Sequence, residues 1–446
     1  MKRLLLLSLA SILIVSCNNT NKSTKSKLLK DDELVYNNLD QLTQVIIHDV
    51  FSPPVSSRIY AYTSLAAYEV IRHTKNGYPS IAAKLNGFPS IPQPVANARY
   101  NYALASTKAY FTVAKKVTFS KDTLQNYEDA VYANFKDHIT LVEYDSSMAF
   151  GERVGNAILE RTKEDNYKET RGMPKELGSE AAGRWRPTPP DYLDAAEPYW
   201  SKILPLSLDS NTKIQCPKPP LFDTNRTSPF FKNVLEVYNI GKNLTDSERT
   251  IAKYWDDNPF VTEHAGHLMY GNKKITPVGH WIGITTIACK MKKVNAVEAC
   301  QTFVLASVAM HDVIITCWEE KFRSNVIRPI TVINESIDRD WQPFLQTPPF
   351  PEHSSGHSGI SASAATILIA KFGDNFAFTD TSDLAYIGMQ RDFSSFRQAA
   401  DEASISRVYG GIHYRTGIDA GIVQGNAVGE FVINKLLHNN SISKIN

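Results

Sequence analysis

The stretch FPEHSSGHSG, residues 350–359, places two histidines around a Ser-Ser-Gly sequence, after a proline-rich approach and before a run of small residues. His353 and His357 are four residues apart, the spacing that puts two imidazoles on one face of a helix in zinc sites. Residues 354–356, Ser-Ser-Gly, are poor residues for a helix interior. The stretch therefore favours a turn that opens a helix near Ser358 over a metal-binding helix.

The start of that helix is suited to an anion. A helix N-terminus offers backbone N–H groups without partners and the positive end of the helix dipole. Ser355, the Gly356 N–H and His357 stand at this point, and the small residues 359–365 allow another helix to pack closely. The stretch predicts a site for an oxyanion.

Two further segments carry cations. WEEKFRSNVIRP holds Lys321 and Arg328 with six residues between them, and SRVYGGIHYRTGID holds Arg407 and His413 with five between them. An isolated cation is usually a solvated surface charge, so neither segment alone indicates a site. Together with the Ser-Gly-His sequence, in this order and spacing, they resemble the tripartite signature shared by vanadium-dependent haloperoxidases and type 2 phosphatidic acid phosphatases.

The resemblance extends over most of the chain after the leader. It is closest to the bacterial, chloroperoxidase-like branch of the vanadium enzymes, and in particular to the iodoperoxidases of marine flavobacteria. The further stretches that carry it are SPPVSSRIYAYTSLAAYEV (52–70), RWRPTPPDY (184–192), Tyr254-Trp255, TPVGHW (276–281) and CWEEKF (317–322).

The resemblance implies a vanadate cofactor and a set of site residues. Its implied contacts are Lys321, Arg328, Ser355, Gly356, His357, Arg407 and His413. His413 is implied to bind the metal, His357 to transfer protons as acid and base, and Lys321 to polarise hydrogen peroxide for attack by halide. The implied product is hypohalous acid, with small organic molecules as further substrates.

Halide choice is read from three residues near these positions. Phe350 and Trp318 resemble the apolar lining beside the cofactor, and Ser354 stands where the family commonly has proline. We expect iodide to be favoured and bromide to come second.

A second departure concerns a carboxylate. The family often has Asp four residues after the last histidine, whereas this chain has Gly417 there and reaches an acid only at Asp419. In the phosphatases an Asp at that spacing orients the histidine. Because the signature is shared with these phosphatases, the alternative function is an acid or lipid phosphatase in which His413 is the phosphoryl-accepting nucleophile.

Apolar periodicity predicts an all-α protein, a helical bundle of the vanadium haloperoxidase and acid phosphatase type with long ordered loops. Residues 170–231, rich in proline and aromatic residues, are expected to form a long loop. We expect a vanadate-binding core at about residues 296–437. The predicted helices cover residues 40–50, 57–73, 95–112, 123–136, 148–162, 246–255, 297–323, 359–372, 401–408 and 420–437.

The N-terminus predicts an envelope lipoprotein. Residues 1–17, MKRLLLLSLASILIVSC, resemble a bacterial lipoprotein signal with a lipobox, in which Cys17 would be lipidated. Residues 18–30 read as a flexible tether and residues 31–446 as a single folded domain. We expect a lipid-anchored protein of the periplasm or outer membrane, and no apolar stretch after the leader that is long enough to span a membrane.

Composition bears on nucleic-acid binding and on whether the cysteines form disulfides. The formal net charge of +2 over 446 residues shows no footprint for nucleic acid. Four cysteines remain after Cys17, and pairing them as disulfides is possible in this compartment. Because three of the four lie in apolar helical sequence, we favour buried free thiols at Cys216, Cys289, Cys300 and Cys317.

Overall fold

The computed structural model describes residues 28–265, 267–271 and 273–437. Within these ranges the chain is mainly α-helical, as predicted, and its strands form two short antiparallel hairpins. Cys17, the predicted leader and most of the predicted tether lie outside the described residues. The strands are β1 (Thr262–Ala265) with β2 (Leu268–Gly271), and β3 (Phe378–Asp380) with β4 (Arg391–Phe393).

The first part of the chain forms a helical layer that packs on the centre of the molecule. α2 is buried along its whole length and contacts α3, which in turn packs on α5. The helices of this layer are α1 (Asp31–His48), α2 (Pro53–Ile71), α3 (Tyr102–Val117), α4 (Lys121–Lys136), α5 (Leu141–Thr162) and the short α6 (Tyr167–Arg171).

The second part carries the residues of the predicted site. Its helices are α7 (Pro229–Lys242), α8 (Asp246–Tyr254), α9 (Pro277–Lys292), α10 (Ala296–Ser324), α11 (Pro329–Ser336), α12 (Gly356–Phe372), α13 (Leu384–Ile387), α14 (Phe396–Tyr409) and α15 (Arg415–Leu436). α7, α9 and α11 were not predicted, and each begins with a proline at its first position, where the missing N–H costs no hydrogen bond.

Helix α10 is the central element and packs on α2, α9, α12 and α15. Most of its side chains are buried, which fits its near-continuous apolar sequence. Among the described residues α10 alone has the length and hydropathy to cross a membrane, but 94% of its most apolar window is buried in the protein. The expectation of no such stretch is therefore wrong, and the stretch is a core helix.

Residues 172–228 form the long loop that the sequence predicts, with one short helical turn at Trp200–Lys202. The loop is anchored to α10 by the buried carboxylate of Asp312. That carboxylate accepts hydrogen bonds from the backbone N–H groups of Leu206, Ser207 and Leu208 at 2.8, 2.7 and 3.1 Å. These bonds place the loop against the helix that carries Lys321.

Helices α12 and α15 lie in backbone contact along a line of glycines on α15. A Cβ added at Gly421 would come within 2.5 Å of the Ser355 carbonyl oxygen, and one at Gly425 within 2.4 Å of the Gly359 carbonyl oxygen. Gly429 continues the line opposite Thr366. The small residues predicted to admit a neighbouring helix do so here.

The four cysteines of the described chain are free thiols and all are buried, which confirms the preferred reading of the sequence: Cys216, Cys289, Cys300 and Cys317.

Candidate oxyanion site

Three fully buried cations surround the start of α12: Lys321 near the end of α10, Arg328 at the cap of α11, and Arg407 near the end of α14. Cations of this kind are rarely buried without a partner. The structure thus brings the three sequence segments together at the start of α12.

The Lys321 ammonium is held by backbone carbonyls. Nζ donates to the carbonyl oxygens of Pro351 at 3.0 Å and Glu352 at 3.1 Å. An ammonium has three N–H donors, so one remains for a ligand. Burial lowers the pKa of Lys321 to about 8, with a further contribution from the nearby Arg328.

Arg328 is fixed on one side and open on the other. Its Nε donates to the Phe350 carbonyl oxygen at 2.8 Å and its Nη1 to the Ile412 carbonyl oxygen at 2.7 Å. Nη1 also lies 3.2 Å from Nε2 of His413. Nη2 is buried and has no hydrogen-bond partner among the described residues. Such an orphaned donor is what an anion would satisfy.

Arg407 is positioned by the backbone that follows α8. Its guanidinium donates to the carbonyl oxygens of Trp255 and, at 3.3 Å, Asp256. Its Nη1 also lies 3.3 Å from Nε2 of His357. Burial lowers the pKa of Arg407 to about 10, which leaves it charged at neutral pH.

The start of α12 presents the expected donors. Ser355 caps the helix. Its Oγ accepts hydrogen bonds from the backbone N–H of Ser358 at 3.3 Å and from the Ser358 hydroxyl at 3.0 Å. The proton of the Ser355 hydroxyl therefore remains available to a ligand. Helix α12 begins at Gly356, close to the predicted start. A Cβ at Gly356 would meet only the Trp318 ring, at 3.6 Å, and would extend into the neighbouring cavity.

His413 is neutral and its tautomer is set by a carboxylate. Nδ1 lies 2.7 Å from Oε1 of Glu352, and the same oxygen accepts the Tyr414 N–H at 3.1 Å. An Arg N–H only donates, so Nη1 of Arg328 at 3.2 Å requires a lone pair on Nε2 of His413 and leaves the proton on Nδ1, facing Glu352. Burial raises the pKa of Glu352 to about 7, and its ionised form is the acceptor that this tautomer needs. Burial, reinforced by Arg328, places the pKa of His413 well below its usual value.

Glu352 was missed by the sequence reasoning, and it explains the departure at Gly417. A Cβ at Gly417 would lie 2.1 Å from Oε1 of Glu352, so the Glu352 carboxylate fills the space of a side chain at this position. The available signal was an acidic residue within the apolar, proline-rich run PPFPEH. A carboxylate at 1% exposure needs buried hydrogen-bond donors.

His353 and His357, the pair in the opening stretch, do not face a common partner. Nε2 of His353 donates to the Pro217 carbonyl oxygen at 2.9 Å, within the long loop. His357 lies beside Arg407, and burial with this neighbouring charge lowers its pKa well below the usual value. A neutral His357 is able to accept a proton at the site.

A cavity of about 470 Å³, part of it open to solvent, lies over His357, Arg407 and His413. Trp318 and Phe350 line it, as the sequence predicts for an apolar wall. The remaining apolar lining comes from Pro53, Phe260, Pro277, Pro348, Ile360 and Ile412.

Ser354 does not take part in this wall. Its hydroxyl donates to Oε1 of Gln424 on α15 at 3.0 Å and lies 3.5 Å from the Cys317 sulfur. The expectation that Ser354 belongs to the halide pocket is corrected by this orientation, because the hydroxyl is directed at α15.

A second buried network holds Trp255, whose carbonyl oxygen accepts a hydrogen bond from Arg407. The sequence analysis did not identify this network. The Trp255 ring stacks on His280 with centroids 4.5 Å apart. His280 in turn lies between the carboxylates of Asp257, at 3.0 Å, and Asp380, at 2.8 Å. These carboxylates raise the pKa of His280 well above its usual value, so the imidazole is a buried cation.

The fold and the site together indicate a class of protein. It is a helical bundle with a buried binding site for a small oxyanion next to an unprotonated histidine nitrogen. Residues 301–440 match the family of the VCPO second helical-bundle domain. No curated protein sequence matches the chain.

Comparison with solved structures identifies the family. The first bacterial vanadium-dependent iodoperoxidase is 44% identical, with a TM-score of 0.86 over 91% of this chain and 96% of that chain. The chain therefore belongs to the vanadium-dependent haloperoxidases. The holo-type bacterial vanadium-dependent chloroperoxidase shares the fold at 17% identity, with a TM-score of 0.71 over 92% of this chain and 98% of that chain. Its apo-type structure gives a TM-score of 0.67 at 17% identity, over 86% and 94%.

Proposed function

We propose that this protein uses vanadate to oxidise halide with hydrogen peroxide, with iodide favoured and bromide second. The observation that carries the proposal is the unprotonated Nε2 of His413 beside the Arg328 guanidinium. The similarity to an iodoperoxidase over nearly the whole chain supports iodide.

The residues present fit vanadate. The orphaned Nη2 of Arg328, the third N–H of Lys321, the Ser355 hydroxyl and the Gly356 N–H would hold its oxygens, and Nε2 of His413 would bind the metal. When bound, vanadate would supply a Lewis acid that activates peroxide, while vanadium keeps its oxidation state. Arg407 adds a third charge against the anion.

The chain itself moves protons and excludes water. His357 is neutral, so its Nε2, 3.3 Å from Arg407, would accept the proton that hydrogen peroxide gives up on binding. The Lys321 ammonium lies beside the Trp318 and Phe350 rings, where low polarity would strengthen its polarisation of a peroxide oxygen. Hypohalous acid is the product, and small organic molecules are the acceptors that it would halogenate.

The test loads the purified protein with orthovanadate and measures peroxide-dependent oxidation of iodide, bromide and chloride separately. We expect turnover that requires vanadate and falls from iodide to bromide. His413→Ala is the matched control and should be inactive with each halide. Phosphate ester hydrolysis by the vanadate-free protein, without halide oxidation by the loaded protein, would contradict the proposal and favour the phosphatase alternative.

We also propose that Cys17 is lipidated and anchors the protein in the bacterial cell envelope, in the periplasm or at the outer membrane. The support is the lipobox-like sequence that ends at Cys17. The full chain should fractionate with membranes, and Cys17→Ala or deletion of the first seventeen residues should release it. Recovery of the full chain as an unlipidated soluble species would contradict the anchor.

A further inference from the structure

The carboxylate of Glu352 and the Cβ of a residue at position 417 compete for one space. Oε1 of Glu352 lies 2.1 Å from where a Cβ at Gly417 would be, and Oε2 lies 3.0 Å from it. Real Cβ atoms do not approach other atoms within 3.0 Å, so a side chain at 417 excludes the present position of Glu352.

Glu352 is held at both its backbone and its side chain. Its N–H donates to the Val326 carbonyl oxygen at 3.0 Å, and its own carbonyl oxygen accepts from Lys321. Its Oε1 accepts from Nδ1 of His413 and from the Tyr414 N–H. One residue thus fixes the position of a cation and of a histidine in the site.

His413 has no other acceptor for its Nδ1 proton among the described residues. Without the carboxylate, the proton would move to Nε2 or the ring would turn. A protonated Nε2 would then face the N–H groups of Arg328, only 3.2 Å away, and could bind no metal.

We propose that Glu352 is the positioning residue of His413: it holds the Nδ1 proton, so that the Nε2 lone pair faces Arg328 and the anion site. The geometry also points to position 417 as a second place from which a carboxylate can do this, once Glu352 is shortened. The vanadate part of the proposal rests on the proposed function, whereas the tautomer does not.

The experiment compares Glu352→Ala, Glu352→Ala with Gly417→Asp, and the native chain. Nitrogen NMR of the His413 ring in vanadate-free protein reports the tautomer, and equilibrium dialysis with orthovanadate reports affinity. We expect Glu352→Ala to lose the Nδ1–H form and to weaken vanadate binding by about 10- to 100-fold. The double variant should recover the Nδ1–H form and much of the affinity.

Two controls separate positioning from general damage. Glu128→Ala removes another buried carboxylate, paired with Lys115 far along the chain, and should lower stability without changing the His413 tautomer or vanadate affinity. Glu352→Gln keeps the volume and an acceptor oxygen. It should retain more of the Nδ1–H form than Glu352→Ala, and it tests the role even if the double variant does not fold.

The outcomes are distinct. An unchanged tautomer in Glu352→Ala, or a folded double variant that resembles Glu352→Ala in both measurements, would overturn the positioning role. If the native chain binds no vanadate while the tautomer follows the expected order, the proposed function fails and the positioning role of Glu352 is supported.

Discussion

Trp318 and Phe350 lie with their ring centroids 5.1 Å apart and form an aromatic wall of the cavity, beside two buried cations. The Lys321 ammonium lies 5.8 Å from the Trp318 ring and 5.0 Å from the Phe350 ring. The Arg328 guanidinium lies 5.1 Å from the Phe350 ring. The aromatic wall therefore lines the cavity and contacts both cations.

Phe350→Leu should change halide preference more than cofactor affinity. The substitution removes the aromatic face from both cations, a contact worth about 0.5–2 kcal/mol, while keeping an apolar wall. We expect the ratio of kcat/KM for iodide and bromide to shift by about 3- to 10-fold, measured at matched peroxide and saturating vanadate.

Ser354→Ala is the matched control for this prediction. Because the Ser354 hydroxyl donates to Gln424, its removal should leave the halide ratio within about twofold while lowering stability by roughly 1 kcal/mol. A larger shift in Ser354→Ala than in Phe350→Leu would contradict the assignment of the wall.

The two site histidines should separate binding from turnover. His413→Ala removes the nitrogen that is proposed to bind the metal, and we expect no rise in the melting temperature on addition of orthovanadate. His357→Ala should keep the rise, because ligands that bind only the folded state stabilise it, but should lose about 10²- to 10⁴-fold in kcat. Equal loss of vanadate binding in both variants would contradict this division.

His311 should make the protein sensitive to acid. Burial lowers its pKa from 6.5 to about 3, so between these values the unfolded chain is protonated while the folded chain is not. Unfolding then takes up a proton, and the free energy of unfolding falls as the pH falls below 6.5.

His311→Asn should reduce this slope by about one proton, roughly 1.4 kcal/mol per pH unit, in urea unfolding curves measured between pH 4 and 6. The imidazole of His138 is exposed, and His138→Asn should leave the slope unchanged. An identical slope in the native protein and His311→Asn would refute the assignment.

Gly425→Ala should destabilise the fold. Its Cβ would lie 2.4 Å from the Gly359 carbonyl oxygen and 2.8 Å from the Ala362 Cβ, so α12 and α15 must separate. We expect a loss of about 1–3 kcal/mol in the free energy of unfolding. Val423→Ala, on the exposed face of α15, should cost less than 1 kcal/mol, and similar losses at both positions would argue against the close contact.

Helical periodicity predicted most of the long helices but not all of their starts. α10 was predicted to within one residue at each end because its apolar run is long. α7 and α9 were missed, although each has a proline in its first turn and a capping hydroxyl: the side chains of Ser228 and Thr276 accept the N–H three residues on. α1 begins at Asp31, nine residues before its prediction, because its first turns are polar.

Residue order and spacing indicated which cations and histidines lie together in the site. Lys321, Arg328 and Arg407 share no local pattern beyond those spacings, and the structure brings them together. Glu352 and the backbone carbonyls of Trp255 and Asp256 were beyond prediction, because their partners lie tens of residues away in sequence. The roles of the site residues stay predictions until the experiments above are made.

The Asp312 anchor has a consequence for how the molecule opens. Asp312 and Lys321 are nine residues apart on the single helix α10, so the loop and the site share one support. The amides of residues 206–208 are therefore expected to exchange with solvent as slowly as those of the core, although they belong to a segment without regular structure. Slow exchange there would mean that local opening of the loop does not reach the anion site. The site would then come apart only when the whole protein unfolds.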